Sequence, residues 1–117
     1  VAVLGERTVE FVEMAAEAGL DALVEVHDEA ELRVALDAGV EIVGINNRNL
    51  TSLTVDLSVA ERLLPLLPDD VVGVAESGVE TRADAARLGR AGADALLIGS
   101  ALMRSDDPTA KLREFLV

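Results

Sequence analysis

Residue types capable of acid–base and anion chemistry stand at the ends of apolar runs in this chain. The run VVGVA leads into Glu76-Ser77-Gly78, and ALLIG, which carries Gly99, leads into Ser100. One segment of helical period lies between them, and a short Ala-Leu-Met piece follows the second. Glycine lets backbone N–H groups approach an anion closely, and a helix N-terminus offers unsatisfied donors with partial positive charge. Ser77 and Ser100 add hydroxyl donors at the same end. The pattern points to a phosphate cradle at Gly78, Gly99 and Ser100.

Further upstream, Glu25 interrupts the apolar run ALVEV, and Asn46 with Arg48 follows the run IVGI. A carboxylate buried among valines without a partner costs several kcal/mol, so such a residue is either satisfied or functional. Glu25 is therefore a candidate for moving protons, tuned by burial and neighbours. Asn46 can donate and accept, which suits a hydroxyl or carbonyl, and the Arg48 fork suits a substrate carboxylate. Ser77 has no neighbouring His or Lys to make it a nucleophile. His27 precedes a helix cap and reads as structural. The sequence has no Cys/His cluster and no H-x-x-x-H pair, so no transition-metal site is expected.

Elements that would position these residues follow from periodicity. Residues 6–18 carry Val9, Val12 and Ala16 on one helical face and Glu10, Glu13 and Glu17 on another. Residues 22–27 read as a strand. Asp28, three residues before Glu31, starts a helix through about residue 38. Strands follow at 41–45, 71–75 and 93–98. Asp56 is a plausible cap for a helix that carries Val59, Leu63, Leu66 and Leu67 and stops near Pro68. Thr81 caps a helix ending at 89–92, and Asp107-Pro108 opens a last helix over 109–116.

Strand and helix alternate throughout, and the strands are continuously apolar, as in a parallel sheet buried on both faces. In a parallel α/β barrel the strand C-termini share one rim, where the active site is built. The chain supplies only four full strands, whereas a (β/α)8 barrel takes eight in about 250 residues. Residues 1–4 read as the tail of a strand. We therefore expect an α/β fold: one domain over 1–117, the C-terminal half of a TIM (β/α)8 barrel, with residues 1–18 ending a preceding unit.

Composition narrows the class. Of 117 residues, 50% are hydrophobic and only two, Phe11 and Phe115, are aromatic, so the core must be aliphatic. With no cysteine, disulfides and thiol chemistry are excluded. A net charge of −12 argues against a nucleic-acid partner. Neither a membrane span nor a signal region is visible, which makes a cytoplasmic protein the default expectation. The acidic surface also suits high salt, which screens self-repulsion.

Four blocks, ALVEVHDEAEL, IVGINNRNL, VAESGV and ALLIGSALMR, closely resemble successive blocks of indole-3-glycerol-phosphate synthase, a tryptophan-pathway barrel enzyme. The resemblance runs from about Glu6 to the C-terminus. It implies ring closure of 1-(2-carboxyphenylamino)-1-deoxyribulose 5-phosphate with loss of carbon dioxide and water. It also implies that Glu25 is a catalytic acid/base on strand five, Asn46 an active-site residue on strand six, and Arg48 the partner of the anthranilate carboxylate. Glu76 and Ser77 match the strand-seven pair, and Gly78, Gly99 and Ser100 the phosphate grip. Asn49 stands where the family pattern has aspartate. No redox or metal cofactor is implied.

The family's first half supplies an N-terminal extension, a glutamate and a lysine on strand one, and the catalytic lysine on strand three. This sequence has one lysine, Lys111, in its last helix. The chain alone is therefore expected to bind a phosphorylated small molecule weakly and to turn over little. Its expected partner is the N-terminal half-barrel or a second copy of itself, with no nucleic acid and no membrane. Two other readings remain open: a non-catalytic, self-associating half-barrel scaffold, and another phosphate-binding barrel such as phosphoribosylanthranilate isomerase.

Overall fold

The computed structural model describes residues 1–116; Val117, the last residue of the expected domain, lies outside them. Helix α1 (Thr8–Glu17) is followed by β1 (Leu23–Val26), α2 (Glu29–Asp37), β2 (Ile42–Asn46) and α3 (Ser58–Leu63). Then come β3 (Val72–Glu76), α4 (Arg82–Arg90), β4 (Ala95–Leu97), α5 (Ser100–Met103) and α6 (Pro108–Phe115). The strands form one four-stranded sheet in the order β1-β2-β3-β4. Every pairing is parallel, with Glu25 beside Gly44 and Asn46 beside Glu76. Parallel neighbours need a crossover, and a helix supplies each one.

Alternation along the strands sorts the sheet into two faces. Val24, Val26, Val43, Ile45 and Ala75 point toward the helices and are buried there with Leu32, Leu63 and Leu88. The opposite face carries Leu23, Glu25, Gly44, Asn46, Val72, Glu76 and Leu97. Its apolar members stay open, with Leu23 46%, Val72 42% and Leu97 54% exposed. The expectation of strands buried on both faces therefore fails at this level. The described residues place helices on one face only, because each helix spends its apolar stripe on the same side.

Local signals explain the helix starts. The Asp28 side chain accepts from the Glu31 N–H at 2.8 Å, and Thr81 with Asp84 forms a reciprocal capping box. Asp107 accepts from the Ala110 N–H at 2.9 Å, with Pro108 in the first turn. The third helix differs from expectation. Pro65 has no N–H to continue an α-helix, so α3 ends at Leu63 and tightens into a 3₁₀ turn, Leu64–Leu66. Its Asp56 turns the chain by accepting from the Ser58 N–H at 2.9 Å, without capping the helix proper.

The two ends of the chain also depart from the sequence reading. Residues 1–4 form turns that lead into a 3₁₀ segment, Gly5–Arg7, so no strand is present there. The expected apolar face of α1 is only partly covered. Val12 packs against the core, while Val9 is 41% exposed. The fourth strand is shorter than expected because β4 pairs on one side alone, through Ala95, Leu96 and Leu97.

Candidate active site

Strand β2 reaches the C-terminal rim between β1 and β3, and this placement organises the site. Gly44 is required there by close approach: a Cβ built on it would overlap Glu76 Oε1. The space that glycine leaves free is where the Glu76 carboxylate lies. Glu76 is 5% exposed, and its Oε1 has no hydrogen-bond partner. Burial first, then hydrogen bonding and negative charge from Glu25, push its pKa up from the ordinary 4.5 to about 7.

The sequence placed the buried acid at Glu25, and the structure moves it to Glu76. Glu25 keeps its side chain 41% exposed, because the sheet face in front of it is open. Its Oε1 accepts from Asn46 Nδ2 at 3.2 Å and lies 3.3 Å from His27 Nε2. Asn46 is itself buried, and its Oδ1 accepts from the Arg48 N–H at 2.9 Å. One amide thus spans the acidic centre and the loop that carries the arginine. The Arg48 guanidinium reaches the Leu53 carbonyl at 3.3 Å, and the Arg48 backbone pairs with Val55 in an antiparallel bridge.

The turn after β3 is held in an uncommon geometry. Ser77, a non-glycine residue, has φ 66°, and Gly78 follows at φ 81°. A Cβ on Gly78 would overlap Val55, so both the backbone and the space require glycine there. Gly99 is different: its φ of −123° suits any residue, and nothing lies within 4 Å of where its Cβ would stand. Glycine at 99 serves to leave the cleft wall open, and no backbone strain explains it. In α5 the Leu102 and Met103 N–H groups both donate to the Gly99 carbonyl, at 3.1 and 3.0 Å, and the first helical amides, Ser100 and Ala101, come before them.

These residues share one cleft of about 580 Å³, lined by Glu25, Asn46, Arg48, Glu76, Ser77, Gly78, Gly99 and Ser100 among others. Every site residue named from the sequence is therefore brought to one rim. The arrangement offers carboxylates from β1 and β3, an amide and a guanidinium from β2 between them, and open backbone with serine hydroxyls on the β3–β4 side. Among the described residues no group of three or more His, Cys, Asp or Glu side chains could hold a metal ion. None of the helices is long and apolar enough to cross a membrane.

Asn47 escaped the sequence reading. It is 2% exposed, its Nδ2 donates to the Ser77 carbonyl at 3.1 Å, and its Oδ1 accepts from the Ala60 N–H at 3.0 Å. Its backbone N–H donates to Glu76 O at 2.9 Å, and its carbonyl accepts from Asp56. It supplies the cap that α3 lacks and pins the turn that carries Ser77. The available signal was a second amide directly after Asn46. His27 was read as structural, and the structure sets its ring between Glu31 and Glu25.

Comparison with known proteins places the chain in a family. The indole-3-glycerol phosphate synthase family model matches residues 1–115. The synthase of Dehalococcoides mccartyi (strain 195) is 47% identical over 111 residues, covering 95% of this chain and 43% of the relative. That of Haloarcula marismortui is 53% identical over 95 residues, covering 81% of this chain and 35% of the relative. The chain thus spans less than half the length of these curated relatives. In solved structures, the Amycolatopsis orientalis BexX/CysO complex shares the fold at TM-score 0.72 and 21% identity, over 92% of this chain and 45% of that one. Native KDPGal does so at TM-score 0.70 and 22% identity, over 92% of this chain and 52% of that one. Four parallel strands with alternating helices, matched to under half of each curated relative, make the fold half of a TIM barrel. With the cleft, the family match and the identities in agreement, the chain belongs to the indole-3-glycerol phosphate synthase family.

Proposed function

We propose that this chain is the C-terminal half-barrel of an indole-3-glycerol phosphate synthase, a single domain whose residues 1–18 end a preceding unit. In this reading it carries the phosphate grip and part of the acid–base machinery. The observation that carries it is one cleft that gathers the ends of all four strands in sheet order: Glu25, then Asn46 with Arg48, then Glu76-Ser77-Gly78, then Gly99-Ser100. 1-(2-Carboxyphenylamino)-1-deoxyribulose 5-phosphate presents a carboxylate, a carbonyl and a phosphate, and the cleft holds a group suited to each. Arg48 pairs with the carboxylate, and the open backbone at Gly78, Gly99 and Ser100 receives the phosphate.

In the reaction the ring carbon that bears the carboxylate attacks the carbonyl carbon, and the carbonyl oxygen takes a proton. Carbon dioxide leaves with its bonding electrons returned to the ring, and the hydroxyl leaves with a second proton as water while the adjacent N-bound methylene gives up a proton, which forms the new ring double bond. A carboxyl group whose pKa stands at about 7 can give or take a proton at neutral pH, which suits Glu76 to these transfers. Asn46 fixes Glu25 and leaves a donor face toward the substrate. The proton donor to the carbonyl is a lysine in the family, and Lys111 stands in α6, away from the cleft-lining residues. The half-barrel alone therefore turns over little or nothing.

Indole emission after adding the substrate tests this cleanly, because the chain has no Trp or Tyr. We expect silence from the chain alone and signal after adding the complementary N-terminal half. Turnover by the chain alone would refute the division of labour. The open Leu23, Val72 and Leu97 face also favours a second reading, a self-associating half-barrel scaffold. A stable symmetric dimer that stays silent when the N-terminal half is added would select that reading instead.

A further inference from the structure

We propose that His27 is a positioning residue for Glu25: its imidazole, anchored at Nδ1 by Glu31, presents Nε2–H to the Glu25 carboxylate and holds it beside Asn46. Glu31 grips His27 twice. Its Oε2 accepts from the His27 backbone N–H at 2.8 Å and lies 3.0 Å from Nδ1. Glu31 is in turn fixed in the first turn of α2, where its own N–H donates to Asp28 Oδ1 at 2.8 Å. The ring is thus oriented by a helix terminus, independently of the cleft.

At the other end, Nε2 is buried and has no well-aligned hydrogen-bond partner; Glu25 Oε1, 3.3 Å away, is the polar atom it faces. The same oxygen receives Asn46 Nδ2 at 3.2 Å. A carboxylate oxygen only accepts, so both neighbours must donate. A half-exposed glutamate otherwise samples several rotamers. Two donors on one oxygen remove that freedom and aim the carboxyl group toward Glu76. Orientation of this kind is worth about 100-fold in rate when a reacting group would otherwise move by about 1 Å.

The inference rests on reading Glu25 as a proton-moving group, but the hold itself is measurable without turnover. His27 is the only histidine in the sequence, so its ring ¹⁵N resonances are unambiguous. Each ring nitrogen faces a carboxylate oxygen, which only accepts, so we expect both to carry a proton in the unaltered chain; a ring protonated at Nδ1 alone overturns the proposal. Two substitutions then separate the ends of the ring. His27→Gln keeps a donor near the Nε2 position, whereas His27→Asn keeps one near Nδ1 only. Carboxyl ¹³C shifts report the titration of Glu76, which faces Glu25 on β1 and shares the cleft with Arg48; Glu31 faces the ring from α2.

We expect His27→Asn to lower the Glu76 midpoint part-way toward the ordinary glutamate range, and His27→Gln to leave it raised. Equal effects of the two substitutions overturn the proposal, as does no effect of either. In the assembled enzyme, His27→Asn should lose about 10- to 100-fold in kcat with little change in KM, and His27→Gln should restore most of it. If the assembled enzyme closes no ring, the proposed function fails, and the ¹⁵N and ¹³C results still decide the hold on Glu25.

Discussion

At the scale of single residues, the chemistry depends on which of two carboxylates is enclosed. Glu25 on β1 and Glu76 on β3 stand at one rim of the same sheet face with β2 between them, yet only Glu76 lies over a glycine that gives its carboxylate a pocket. Enclosure favours the neutral acid, and the charge of Glu25 adds to that preference. The folded-state pKa is raised, so this contribution to stability is full below the ordinary value of 4.5 and is lost as pH rises through about 7. The loss amounts to at most about 3.5 kcal/mol, taking about 1.4 kcal/mol for each pKa unit. Glu76→Gln, which stays neutral, should flatten the pH dependence of urea unfolding between about pH 5 and 8. A curve as steep as that of the unaltered chain would show that Glu76 is not the group responsible.

At the scale of elements, the site is assembled by connections between loops more than by the strands. Asn47 joins the end of β2, the turn after β3 and the start of α3 through both polar atoms of its side chain. Removing it leaves the Ala60 N–H and the Ser77 carbonyl without these partners, and each buried orphan costs about 1–3 kcal/mol. Asn47→Ala should therefore lower stability by about 3 kcal/mol in urea unfolding and speed amide exchange at Ala60. Unchanged exchange there would mean that α3 starts without help from Asn47. On the cleft's other side, Arg104 donates to both oxygens of Glu80 at 2.6 and 2.7 Å, tying the β3–α4 loop to the end of α5. This ion pair is exposed, and its value lies in register more than in stability.

At the scale of the whole molecule, charge and the open sheet face dominate. A chain of 117 residues with net charge −12 repels itself when folded, and salt screens that repulsion within roughly 3 Å at 1 M. The thermal midpoint should rise from low salt to molar potassium chloride; a flat or falling midpoint would dismiss the adaptation to salt. The uncovered Leu23, Val72 and Leu97 face sits on the side of the sheet that carries Glu25, Asn46 and Glu76. Any body that covers this face therefore also closes the wall of the cleft. Assembly and catalysis are expected to appear together for that reason.

Much of this was legible in the order of residues. Period and caps located the helices at Asp28, Thr81 and Asp107, because capping is a local transaction between neighbours in sequence. Polar residues at the ends of apolar runs were enough to name the cleft, since parallel strands deliver all their C-termini to one rim. Tertiary structure decided the rest. Only the register of β2 against β3 puts Gly44 beneath Glu76, so only the folded sheet reveals which acid is buried. Asn47 acts on residues reached through space, Ser77 and Ala60. Sequence alone fixes local hydrogen bonds and periodicity; which groups lose water depends on what the other strands and helices place over them.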